Sequence, residues 1–101
     1  MNPHSDLLQR ELWSSWAGVL RSYAAVHSLG RDQHAVVEVS EAEILLRYGS
    51  RWMRFTHDHI TSSQGAEHTF ALTENGRARI DNTEDEMDLS AERLAREIIT
   101  L

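Results

Sequence analysis

The sequence contains no cysteine. A disulfide framework, a thiolate nucleophile and a cysteine-ligated zinc site are thereby excluded. Lysine is missing as well, and all ten basic residues are Arg. An arginine-only cation set fits the codon usage of a GC-rich, bacterium-like source, and it also fits selection for planar, bidentate contacts. There is one proline, and no internal repeat or low-complexity linker divides the chain. No apolar run approaches the length of about 18 residues that a membrane span needs. The stretch from Met1 to Trp13 mixes charge with Leu7, Leu8 and Leu12, unlike the continuous apolar region of a signal peptide. A soluble, cytoplasmic protein with no membrane partner is the expectation. The net charge of −6 leaves no basic footprint for sequence-independent binding to nucleic acid, so nucleic acid ranks behind protein as a partner. GxGxxG, Walker and HExxH patterns are all absent, and Ser62-Ser63 has no nucleophile-elbow context. The expectation therefore leans away from an enzyme.

What is present fits a single domain over residues 1–101, with 41% hydrophobic and 26% charged residues. Asn2-Pro3 suits the entry to a helix. Leu8, Leu12, Trp16, Val19, Tyr23 and Val26 then recur at three- and four-residue spacing, with Trp13 and Leu20 beside them. This predicts a long amphipathic helix that Gly30 ends. From His34 to Ile80 the period becomes two. A four-residue loop over Ser40–Glu43 pairs Val39 with Ile44 and Val37 with Leu46. Tyr48-Gly49-Ser50-Arg51 has the chemistry of a type II′ turn, aligning Leu46 with Met53 and Ile44 with Phe55. A three-residue loop of Glu74, Asn75 and Gly76 pairs Leu72 with Ala78 and Phe70 with Ile80. After the acids Asp81, Glu84, Asp85, Glu86 and Asp88, read as a solvated linker, Ser90 is placed to cap a closing helix. Leu89 and Leu94 would staple that helix, and Ala91, Leu94, Ala95, Ile98 and Leu101 form its apolar stripe.

The expected fold class is α+β: an N-terminal helix, an antiparallel meander of about five strands and a C-terminal helix, with both helices on one sheet face. This order and the acidic charge resemble frataxin-type iron proteins in architectural outline. The acidic ridge of that family's first helix is missing, since only Asp6 and Glu11 lie there, and the resemblance implies no site.

Three surfaces carry functional expectations. The uncovered sheet face should display Arg47, Trp52, Arg54, Arg77 and Arg79, a local inversion of charge built from the residue types enriched in binding hot spots. The leading expectation is a non-enzymatic binding module that uses this patch for a protein partner or for a homodimer. The second surface is a set of three histidines. If the strand through Thr56–His59 pairs directly with the one carrying Phe70, then Phe55 meets Leu72. His57, His59 and His68 would then converge, and three imidazoles form a recognised shell for zinc or another divalent metal. Otherwise no cofactor is expected. The third is the acidic run from Asp81 to Asp88, which suits an inhibitor or immunity-type protein that meets a basic target.

Overall fold

The structure, a computed structural model, describes the backbone of residues 3–100 and the side chains from Leu7 to Thr100. The proposed Asn2 cap and the Leu101 end of the last stripe lie outside the described residues. The first element is helix α1 (Pro3–Ser28), and the last is helix α2 (Met87–Thr100). Between them run β1 (Val36–Val39), β2 (Ile44–Tyr48), β3 (Arg51–Phe55), β4 (His59–Ser62), β5 (Glu67–Leu72), β6 (Arg77–Ile80) and β7 (Thr83–Glu86). They form one antiparallel sheet in sequential order. The α+β class and the meander are as the sequence predicts, but the strands among the described residues number seven, not about five.

The turn chemistry sets the register. Val39 pairs with Ile44 across the four-residue loop, and Ser40 Oγ accepts from the Glu43 N–H at 3.1 Å to close it. Gly49 has φ of 63°, which a type II′ turn requires at its first central position. Gly76 has φ of 77°, and its loop pairs Leu72 with Ala78 and Phe70 with Ile80 as read from the sequence.

The two additional strands arise where propensity misleads. Residues 56–59 form a second four-residue loop, with the Thr56 N–H donating to His59 O at 2.9 Å. The chain then returns as β4, whose Ile60 lies opposite Phe55. The expected pairing of Phe55 with Leu72 is therefore wrong by one inserted strand. β7 comes from the acidic run, which polar composition argues against as a strand. It pairs with β6 across the two-residue turn Asp81-Asn82. Asp81 takes a left-handed φ of 54°, which Asp tolerates better than most residues.

One face of the sheet is covered by both helices. Trp16 and Phe55 are fully buried, and Phe70 lies with them. Their ring centroids stand 5.3 to 5.6 Å apart in tilted contacts. Met53 is buried as expected, while Leu72 and Ile80 are only half-buried. The α1 stripe is rotated from the expected one. Leu12, Trp13, Trp16, Ala17, Leu20 and Ala24 are buried, Val19 and Tyr23 are half-buried, and Val26 is exposed. Ala17 and Ala24 are buried although their small side chains carry little hydrophobic signal in the sequence pattern.

Helix α2 begins three residues before Ser90, so Ser90 is not its cap. It is a buried residue inside the helix whose Oγ lacks a protein partner. Leu89 is exposed and makes no staple. At the far end of α2, Arg51 lies 5.3 Å over the Tyr48 ring and donates to Ile99 O at 3.4 Å, tying the last helical turn to the sheet.

Candidate functional site: the open sheet face

The register sends Val36, Glu38, Leu45, Arg47, Trp52, Arg54, Thr61, Thr69, Ala71, Arg77, Arg79, Glu84 and Glu86 to the side away from the helices. Among the described residues no element covers this side. Trp52 is half-buried and sits opposite Arg47, and Leu45 sits opposite Arg54. The Trp52 backbone is held twice by Ser63: its N–H donates to Ser63 Oγ and its carbonyl accepts from the Ser63 N–H, each at 3.0 Å.

The five residues read from sequence as the binding patch all lie on this face, but the expected charge inversion does not survive. Each of the four arginines has a glutamate on a neighbouring segment. Arg47 bonds Glu38, and Arg54 reaches Glu43 at 2.6 Å. On the other side of the sheet Arg77 lies 3.3 Å from Glu86 and Arg79 lies 3.0 Å from Glu84. With Glu67, also on this face, the balance is close to neutral. These pairs are roughly half-exposed, so each contributes only about 0.2 to 1 kcal/mol. They lie toward the two ends of the face, around β1–β3 and on β6–β7. Between them Thr61, Thr69 and Ala71 lie with Glu67 and His59, while Leu45 and Trp52 sit opposite Arg54 and Arg47. Glu84 and Glu86 escape the sequence reading because the acidic run reads as a linker, and Glu43 because it lies in the loop before β2. The two-residue Asp81-Asn82 spacing between Ile80 and Thr83 was the available signal for a hairpin.

The three histidines occupy three separate environments. His57 stacks on Trp13, with centroids 4.1 Å apart, and its Nε2–H donates to Glu41 O at 2.7 Å. His59 lies opposite Thr69 on the open face, with Nδ1 on the Asp58 carboxylate at 2.9 Å. His68 lies opposite Ile60 on the helix-covered side, with Nδ1 on Asp81 at 2.7 Å. The loop at residues 56–59 shifts strand parity, so His59 and His68 are on opposite faces. The expected convergence rested on a direct pairing that β4 interrupts. Among the described residues no three His, Cys, Asp or Glu side chains form a metal-holding group.

His68 also borders a cavity of about 50 Å³ between α2 and the sheet, beside Ser62, Gln64 and Glu97. That is room for a water or two. Ser62 Oγ accepts from the Gln64 and Ala66 N–H groups at 3.3 and 3.2 Å, so it closes the β4–β5 turn.

Asp81 is the most constrained carboxylate of the acidic run. The His68 hydrogen bond, with the Thr69 N–H, holds it below its ordinary value of 3.8. A carboxyl with a depressed folded pKa contributes stability that is complete above the ordinary value and is lost as pH falls through the folded one. The urea midpoint of Asp81→Asn should therefore fall less steeply than that of the wild type below about pH 4. Asn also tolerates the left-handed backbone, which keeps the comparison free of strain. Parallel acid limbs would show that Asp81 does not contribute.

The acidic run itself is committed within the fold, with Glu84 and Glu86 on Arg79 and Arg77, and Asp85 3.6 Å from Arg93 of α2. No helix among the described residues is long and apolar enough to cross a membrane. Comparison with protein-family models, with curated proteins and with solved structures finds no match to this chain.

Proposed function

We propose that this chain is a non-enzymatic protein-binding module whose open sheet face meets a second protein surface, a second copy of itself being the partner its own charges fit. The observation that carries the reading is the layout of that face: a half-buried Trp52 opposite Arg47, on a face whose arginines, at both ends, are each matched by a glutamate. In a chain with net charge −6, a near-neutral face is where two copies approach with least repulsion. Arg and Glu at both ends also let a two-fold axis set each cation against an anion of the other copy.

The size of the face sets the strength. Seven strands at about 4.8 Å spacing, each roughly 15 Å long, give a footprint of about 500 Å² per copy. That is smaller than the ~800 Å² per partner of standard interfaces. The association is therefore weak and reversible, with Trp52 as its anchor. Sedimentation of the wild type and of Trp52→Ala over a range of concentration tests it. A concentration-dependent dimer that Trp52→Ala weakens supports the reading, and unchanged behaviour of the variant contradicts it. The open face is favoured over a three-histidine metal centre because the three rings are engaged with Glu41, Asp58 and Asp81 in different places.

A further inference from the structure

The two edges of the sheet are unlike each other. β7 reads Thr83-Glu84-Asp85-Glu86, and such charge deters an added strand. β1 reads Val36-Val37-Glu38-Val39, has only β2 beside it, and leaves Val36 and Val39 exposed. The register fixes how its backbone groups are used. The Ser40 N–H donates to Glu43 O at 2.9 Å, so Ser40, Glu38 and Val36 form the hydrogen-bonded pairs with β2. Val37 and Val39 then form the alternate pairs, and their N–H and C=O groups point away from the sheet. Among the described residues these groups find no other backbone partner.

Beside this edge lies a groove of about 680 Å³, walled by Gln9, Arg10 and Trp13 of α1 on one side and by Val39 and Glu41 on the other, with His57 also lining it. Its walls are tied together. The Trp13 Nε1–H donates to Ser40 O at 2.8 Å, and His57, stacked on Trp13, donates to Glu41 O. The groove is thus pre-formed, which limits the ordering cost of filling it. Arg10 and Glu41 are exposed, and neither has an ion-pair partner among the described residues.

We propose that the β1 edge is a second binding surface, which takes an extended segment of a partner protein as a further strand. Main-chain bonds to Val37 and Val39 hold it, and its alternate side chains enter the groove against Trp13 and Val39. An acidic residue meets Arg10 and a basic one meets Glu41, which sets the direction of the segment. A second copy's Val36–Val39 stretch carries Glu38 and no base for Glu41, so a different sequence fits better.

The probe is a short peptide of alternating Thr and Val with Lys at one end and Glu at the other, titrated into the ¹⁵N-labelled chain. The largest shifts are expected at the Val37 and Val39 amides and the Trp13 indole, with slowed exchange of the two amides. Val39→Pro should weaken binding tenfold or more, about 1.4 kcal/mol. It removes an N–H that β2 does not use, so the fold is kept. A peptide N-methylated on its bonding edge should fail with the wild type, and Trp52→Ala should leave binding unchanged. Shifts confined to the open face, or no shift at millimolar peptide, would overturn the proposal. So would Val37 and Val39 amides that become protected in the chain alone as its concentration rises, which would assign the edge to a second copy.

Discussion

Replacing Trp16 by Ala is expected to remove about 3 to 5 kcal/mol of stability, as the loss of a large buried aromatic does. Trp16 is fully buried, and its ring meets Phe55 at 5.6 Å and Phe70 at 5.3 Å, so it joins α1 to β3 and β5 at once. For a domain of this size each kcal/mol shifts the melting midpoint by about 4 to 8 °C, so the fall should exceed roughly 12 °C. Trp16→Phe separates packing from the polar atom. It keeps a ring against Phe55 and Phe70 and deletes an Nε1–H that has no protein acceptor. Its loss should be clearly smaller than that of Trp16→Ala, because Phe leaves a smaller cavity and removes the unpaired N–H. Urea titration followed by circular dichroism measures both, and equal losses in the two variants would contradict this account of the core.

The legible parts of the fold were those where local chemistry and hydrophobic period agree. Gly49 and Gly76 fixed two turns because their conformations exclude most other residues, and the registers of β2–β3 and β5–β6 followed, while the parity shift across Ser40–Glu43 gave that of β1–β2. The failures share one cause. β4 and β7 are short, and their sequences, His59-Ile60-Thr61-Ser62 and Thr83-Glu84-Asp85-Glu86, carry one large apolar residue between them. Strands of that kind are held by the ladder on both sides or by cross-strand charge, and neither shows in a single segment's pattern. The three-histidine expectation fell with β4, since one extra strand carries a side chain to a new neighbour and a shifted loop carries it to the other face. The arginines of the open face were placed well, whereas their partners were not, because Glu84 and Glu86 become neighbours of Arg79 and Arg77 only once β7 exists.

Trp52→Ala is expected to weaken self-association by about 2 kcal/mol or more, close to 30-fold in the dissociation constant. The indole is the largest side chain on the open face, and the backbone that carries it is held by the two Ser63 contacts. Truncating it removes contact area on the open face and leaves Met53 and Phe55, the buried residues of the same strand, in place on the other side, with only the small cavity under α2 also bordered by Trp52. The melting midpoint should therefore change little while association changes greatly. Substituting Arg54 should have a smaller effect, since its ion pair with Glu43 is exposed and contributes little.

The most direct test is sedimentation equilibrium of the wild type and Trp52→Ala from about 10 μM to about 1 mM, a range that brackets weak dimerisation. A docking face on the open sheet predicts a reversible monomer–dimer equilibrium for the wild type, and a variant that stays monomeric where the wild type dimerises. A wild type that remains monomeric at the highest concentration, or a dimer that Trp52→Ala leaves unchanged, would contradict it.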